Sequence, residues 1–300
     1  MIVGVETGGT KVVCATANED DPSRPVHSET FPTADPAPTI ERIRGYLREA
    51  ERRGGVSAIG VASFGPLDAD ARSPRYGTVT STPKPGWSGT DLLSPLLDVV
   101  DVPAAFTTDV NAAAVAEHRA RGANPGNFAY VTVGTGIGAG ILIDGALMGG
   151  SGYPEVAHLE VVRHPDDRFA GVCRFHGDCL EGLASGPAVS RRWGADGSSL
   201  PARAQQAAIR LEAFYLAQLA TTLRYVVGTD LMIVGGGVAK TPGLIAAVAD
   251  RLAENDGAAG GSGRPPLQVE PPAMPGRSGV IGALQLAADA LAAAGDLAHV

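Results

Sequence analysis

Ile2-Val-Gly-Val-Glu6-Thr7-Gly8-Gly9-Thr10-Lys11-Val-Val-Cys14-Ala-Thr-Ala17 joins two short apolar runs through a turn rich in glycine. Runs of this length bounded by a turn read as buried strands, so the segment predicts a β-hairpin. A glycine turn at a strand end offers backbone N–H groups to an anion with no Cβ in the way. The pattern returns at Phe128–Val133, Gly134-Thr135-Gly136-Ile-Gly138 and Ala139–Ile143. Val5-Glu-Thr7-Gly8 and Val133-Gly-Thr135-Gly136 occupy matching positions, a weak internal repeat that suggests two related halves. A third cluster, Gly235-Gly236-Gly237, closes the apolar run Leu231–Val234.

Outward from these turns, strands alternate with helices, which predicts an α/β protein. A polar, proline-rich loop follows the first hairpin, and Ile40, Ile43, Leu47 and Ala50 mark a helix ending near Arg53. Val56–Ser63 and Val102–Thr107 read as strands, and Asn111–Ala120 as a helix. Residues 65–90 show no period and read as a long functional loop or a small excursion. A helix is predicted from Pro201 to Val227. Thr241-Pro242 is predicted to open another as N-cap and N1. Asn255–Pro266 reads as a flexible loop, Leu267–Glu270 as a strand and Gly279–Ala294 as a final helix. We expect a first lobe over 1–110 and a second over 111–284, facing each other across a cleft. This leaves the helix at about 285–300 free to pack back on the first lobe.

The chain has 300 residues, 44% of them hydrophobic and 19% charged, enough for a sizeable core and unlike a disordered tail. Its net charge of −8 and lack of a basic stripe predict no nucleic-acid partner. No apolar run approaches the roughly 18 residues of a membrane span. Glu6 interrupts the start before a leader could develop. A cytoplasmic protein without a membrane partner is expected. Of 24 basic residues only Lys11, Lys84 and Lys240 are lysine, each in or beside a turn rich in Gly or Pro.

Three cysteines in a chain of this kind argue against a disulfide framework. Cys14 reads as a small core residue. Cys173-Arg-Phe-His176-Gly-Asp-Cys179 places three ligand-type side chains on one loop, and His158 stands upstream. Two Cys and two His complete a closed tetrahedral zinc site. His118 and His164 read as solvent-facing. Asp109, in Thr108-Asp-Val-Asn111, ends a strand and opens a helix. It is either an N-cap or a carboxylate that accepts a proton from a substrate hydroxyl. The turns are neither a P-loop nor a dinucleotide fingerprint. No G-x-x-x-x-G-K-[ST] is present, and a strand rather than a helix follows Gly134–Gly140.

Together these residues resemble the ROK family (repressor, open reading frame, kinase) over nearly the whole chain. Gly4-Val-Glu6-Thr-Gly-Gly-Thr10-Lys11 and Val133-Gly-Thr-Gly-Ile-Gly138 resemble its two phosphate hairpins, and Val234-Gly-Gly-Gly237-Val its adenosine motif. Asp109-Val-Asn111-Ala-Ala matches the segment with the catalytic base. Glu155-Val-Ala-His158 and the Cys173/His176/Cys179 loop match the zinc and sugar region. Ala62-Ser-Phe-Gly-Pro66, Thr82-Pro-Lys-Pro-Gly-Trp87 and Cys179-Leu-Glu-Gly-Leu-Ala-Ser-Gly-Pro187 look like the bacterial fructokinase branch. Ala157 and Glu6 depart from the usual Gly and Asp, and Thr108 stands where glucokinases often have Asn.

The resemblance implies a two-lobed actin-like ATPase fold, duplicated from a ribonuclease H-like unit, with central mixed sheets. It implies ATP-dependent phosphorylation of a hexose, most simply fructose at O6, with Mg²⁺ and a structural zinc ion. Asp109 would be the general base. Gly8, Gly9, Thr10, Lys11, Thr135 and Gly136 would hold phosphates and Mg²⁺, with Gly186, Pro187, Gly236 and Gly237 completing the nucleotide site. Gly65, Pro66, Asn111, Glu155, His158 and Glu181 would face the sugar, and His158, Cys173, His176 and Cys179 the zinc. Lys84 either reaches the sugar or its phosphate, or is a solvated loop lysine. Mannose, glucose or an amino sugar are the alternative acceptors. A sugar sensor or repressor is the alternative class, disfavoured because strand one begins at Met1. Family members commonly form homodimers.

Overall fold

The computed structural model describes residues 1–122, 126–149, 152–195, 199–256 and 265–297. It divides into two compact units. The first contains Met1–Ala116 and the helix after Arg277; the second contains Glu117–Met148 and Tyr153–Gly276. The divisions fall at 116 and 277, where the sequence reading has 110 and about 285.

In the first unit β1 (Ile2–Thr7) and β2 (Lys11–Ala17) form the expected antiparallel hairpin. β3 (Pro25–Pro32) pairs with β2 where a loop was expected. It is a sheet edge with a mostly exposed polar face, so the strand carries no apolar run to betray it. α1 (Pro36–Gly54) starts with Pro in its first turn and buries Ile43, Tyr46 and Leu47. β4 (Ala58–Ser63) runs parallel to β1. The unperiodic stretch holds a three-stranded sheet of two-residue strands, β5 (Leu67–Asp68), β6 (Thr78–Val79) and β7 (Thr90–Asp91). After α2 (Ser94–Leu97), β8 (Ala104–Thr108) joins β4 in parallel and leads directly into α3 (Asp109–Ala120).

The second unit repeats the plan. β9 (Phe128–Val133) and β10 (Ile137–Ile143) are antiparallel, and β10 pairs with β11 (Ala146–Leu147). α4 (Leu180–Ala184), α5 (Gly186–Trp193) and α6 (Ala202–Thr222) follow; a π-helical turn continues α6 to Val227. β12 (Leu231–Gly235) is parallel to β9 and to β13 (Gln268–Glu270). α7 begins at Leu244, after a 3₁₀ turn over Val238–Lys240 that takes Thr241 as its C-cap. The N-cap role expected of Thr241 is thereby corrected. Most of the expected loop at 255–266 lies outside the described residues. The sheets run β3-β2-β1-β4-β8 and β11-β10-β9-β12-β13, the same order with the same parallel and antiparallel pairs. The internal repeat therefore holds at the level of topology.

α8 (Ser278–Leu297) packs on β1, β4 and β8. By length and composition Ser278–Asp296 could cross a membrane, with mean hydropathy 1.3, which corrects the expectation of no such run. Half of that segment is buried inside the protein, as in a core helix. A Cβ on Gly60 would lie 1.9 Å from the Ala283 carbonyl oxygen, so only glycine lets α8 sit this close to β4.

Candidate active site

The β8–α3 junction gives the capping role to a residue other than Asp109. The Thr108 hydroxyl accepts the Asn111 N–H at 3.1 Å and caps the helix. Asp109 is the first residue of α3, and its Oδ1 accepts the Val110 N–H at 2.9 Å. Burial of the carboxyl, then the charge of Glu6, push the Asp109 pKa up to about 7. Glu6 is itself pushed up by burial, with Lys11 opposing, and its Oε2 has no hydrogen-bond partner among the described residues. Asn111 is buried and donates from Nδ2 to the Thr107 hydroxyl at 3.0 Å. Gly65 and Pro66, joined by a cis peptide bond, follow β4 and Phe64. Gly8, Gly9 and Thr10 form the tip of the first hairpin, and Lys11, exposed, begins β2.

The second unit holds a cavity of about 720 Å³. Thr135, Gly186, Pro187 and Gly237, all expected at a nucleotide, line it together with Glu212 and Lys240. The Gly186 N–H donates to the Gly134 carbonyl at 2.7 Å, which ties the start of α5 to the second turn. Gly136 and Gly236 are not among its lining residues. Behind the turn, Glu181 Oε2 accepts the Ile137 N–H at 3.0 Å.

Glu212 was not foreseen. It projects from α6 beside Ala208, is buried, and neither carboxyl oxygen has a hydrogen-bond partner among the described residues. Burial raises its pKa well above the usual range; Arg192, 3.6 Å away, opposes this and Asp167 adds to it. Arg192 also donates to Asp167 at 3.1 Å. A lone acid on the apolar face of a predicted helix was the available signal.

His158, Cys173, His176 and Cys179 converge, with one donor atom from each within 4.8 Å of all the others. His158 Nδ1 lies 3.8 Å from Cys173 Sγ and 3.7 Å from Cys179 Sγ; His176 Nδ1 lies 3.9 Å from Cys173 Sγ. Four ligands at about 2.0–2.3 Å around a tetrahedral ion would be separated by roughly 3.6 Å, so the set has the size of such a site. The loop closes by paired hydrogen bonds between Cys173 and Gly177, at φ +66°. Burial, with Cys173 adding, pushes the Cys179 thiol up to about 11, a cost that a bound cation removes. Glu155 lies just before His158 and is pushed up by burial and by Glu181, with His158 opposing. Ala157 packs into the core beside them.

One expectation for a histidine is corrected. His118 is half-buried, packs edge-on to Phe128 and is held below its usual pKa by burial. His164 packs edge-on to Phe214 and keeps 35% of its side chain exposed.

The ROK family profile matches residues 2–290. The chain belongs to the ROK family. Among its relatives, the fructokinase of Zymomonas mobilis is 40% identical, covering 83% of this chain and 84% of its own. The fructokinase of Pediococcus pentosaceus is 36% identical, covering 97% and 99%. A ROK family glucokinase from Streptomyces griseus, solved with glucose and AMPPNP, superimposes with a TM-score of 0.73 at 26% identity over 96% of this chain and 99% of that one. The paired sheets are the two-lobed actin-like ATPase fold that ROK sugar kinases share.

Proposed function

We propose that this ROK chain, an ATP-dependent hexose kinase, phosphorylates fructose at O6 with Asp109 as the general base. The state of Asp109 carries the reading. Thr108 caps α3 in its place, and burial with Glu6 brings its pKa to about 7. A base poised near the working pH is what proton abstraction from a hydroxyl needs. Fructose as acceptor rests on fructokinases 40% and 36% identical over most of both chains.

In the step, the O6 proton passes to the Asp109 carboxylate as O6 bonds the γ-phosphorus. The bond to the β–γ bridging oxygen breaks and ADP leaves. Such transfer depends on positioning and charge neutralisation, and Mg²⁺ bound with ATP would supply the latter. Gly8–Lys11 and Thr135-Gly136 would hold the phosphates, and Gly186, Pro187, Gly236 and Gly237 the adenosine side. Glu155, His158, Asn111 and Gly65-Pro66 would face the sugar. Glu181 would do so with the oxygen that Ile137 leaves free.

The Cys/His set fits zinc, held by His158, Cys173, His176 and Cys179. A zinc ion there would cross-link the loop, and four protein ligands would leave no position for a reacting water. His158 turns Nδ1 toward the cysteines, leaving Nε2 for a sugar hydroxyl. A cytoplasmic location, where ATP is made and used, and a homodimer complete the proposal.

The test is ADP release with ATP, Mg²⁺ and a panel of hexoses. Fructose should be turned over well above glucose, mannose and amino sugars. A different best substrate would overturn the acceptor assignment, and no sugar-dependent release would overturn the reading itself.

A further inference from the structure

The segment between β6 and β7 forms a strap in the first unit that carries Lys84. Two anchors fix the strap. Trp87 is fully buried, donates from Nε1 to the Ala34 carbonyl at 3.0 Å, and packs edge-on to Phe64 at 5.1 Å between ring centres. Ser88 closes the strap on itself, accepting the Thr82 N–H at 3.1 Å and donating to the Thr82 carbonyl at 3.2 Å. From this base Lys84 Nζ donates to the Gly9 carbonyl at 2.7 Å and to the Thr33 carbonyl at 3.4 Å.

Gly9 is the middle of the tip of the first hairpin, and its neighbours are tied as well. The Thr33 hydroxyl donates to the Gly8 carbonyl at 2.7 Å, and the Thr33 N–H to the Thr10 carbonyl at 3.0 Å. Three successive tip carbonyls are thus held from outside the turn. In a trans peptide the carbonyl and the following N–H point in opposite directions. Clamping the Gly8 and Gly9 carbonyls therefore turns the Gly9 and Thr10 N–H groups the other way. Neither of those N–H groups donates to a protein group among the described residues. Successive free N–H groups on a concave turn make an anion nest.

We propose that Lys84 is a positioning residue for the donor phosphates: by clamping the Gly9 carbonyl it fixes the peptide whose N–H faces them. The same strap rests through Trp87 on Phe64, next to Gly65-Pro66, so it ties that segment to the phosphate turn. The inference rests on the kinase reading of the turn. It differs from both earlier readings of Lys84, because the ammonium meets backbone carbonyls.

The test compares AMPPNP and AMP binding by calorimetry, with steady-state kinetics, for the wild type, K84M and K84R. AMP has no β- or γ-phosphate and serves as the internal control. K84M should weaken AMPPNP by about tenfold and raise KM for ATP similarly, the scale of losing a hydrogen bond from a charged donor. AMP affinity and KM for the sugar should stay within about twofold, and K84R should recover most of the loss. Thr33→Val, which removes the bond to Gly8 from the other side, should behave like K84M. Unchanged AMPPNP binding in K84M and Thr33→Val would overturn the proposal, as would an equal loss of AMP and AMPPNP. A wild type that binds AMPPNP through Lys84 yet turns over no sugar would keep the clamp and remove the kinase reading.

Discussion

The Glu181 carboxylate accepts the Ile137 backbone N–H at 3.0 Å, so α4 braces the second glycine turn from behind. A Cβ on Gly136 would lie 2.7 Å from the same Glu181 oxygen. A residue expected only at the sugar is therefore part of the scaffold of the second glycine turn. Glu181→Gln keeps an acceptor and should be mild. Glu181→Ala leaves the N–H unpaired, a loss of roughly 1–3 kcal/mol, and should lower kcat/KM for ATP by about 10- to 100-fold. A Glu181→Ala enzyme altered only in its KM for sugar would limit Glu181 to the acceptor.

The pH profile should report Asp109. Its pKa is raised by burial and Glu6, and the base works only when deprotonated, so kcat/KM should fall as pH drops below about 7. Glu6→Gln removes the charge that helps raise it, and should move this acidic limb to lower pH. A limb that stays in place in Glu6→Gln would show that Glu6 does not act on Asp109.

Metal removal should separate stability from chemistry. Chelation of zinc, or Cys173→Ser, should lower the metal content below one per chain and lower Tm by at least about 5 °C, because structural metal binding is partly folding free energy. A Cys173→Ser protein with full zinc and unchanged Tm would show that the ligand set is wrong.

Two glycines should respond in opposite senses. Gly60→Ala would put a Cβ 1.9 Å from the Ala283 carbonyl oxygen, a backbone overlap that should cost about 3 kcal/mol or more. Gly45, exposed in the middle of α1, has nothing within 4 Å of its added Cβ. Gly45→Ala should stabilise the protein by about 0.5–1 kcal/mol. Denaturant melts of both variants check the pair.

What the sequence made legible was local. The hairpins at 2–17 and 128–143 and the Cys173–Cys179 loop each lie in one short stretch, where spacing alone reports geometry. Features assembled from distant residues stayed hidden. β3 is polar because it is an edge, and β5–β7 have only two residues each, too few to show a period. The buried pairing of Glu212 with Arg192 joins α6 to α5; the lone acid on an apolar helix face marks Glu212, but nothing near it in sequence names its partner. Lys84 bonds Gly9 across 75 positions, a contact that no pattern within its own loop contains. The N-cap at Thr108 shows how narrow the margin is: the residue beside the candidate base does the capping that sequence reasoning could also have given to Asp109.

The most direct test of the central claim is Asp109→Asn, measured for fructose turnover and, separately, for fructose binding by calorimetry. A general base accounts for roughly 10²–10⁴-fold in rate, so turnover should fall by that much while fructose affinity stays within a few-fold. Near-normal turnover in Asp109→Asn, in a folded protein, would contradict the assignment of the base and the mechanism built on it.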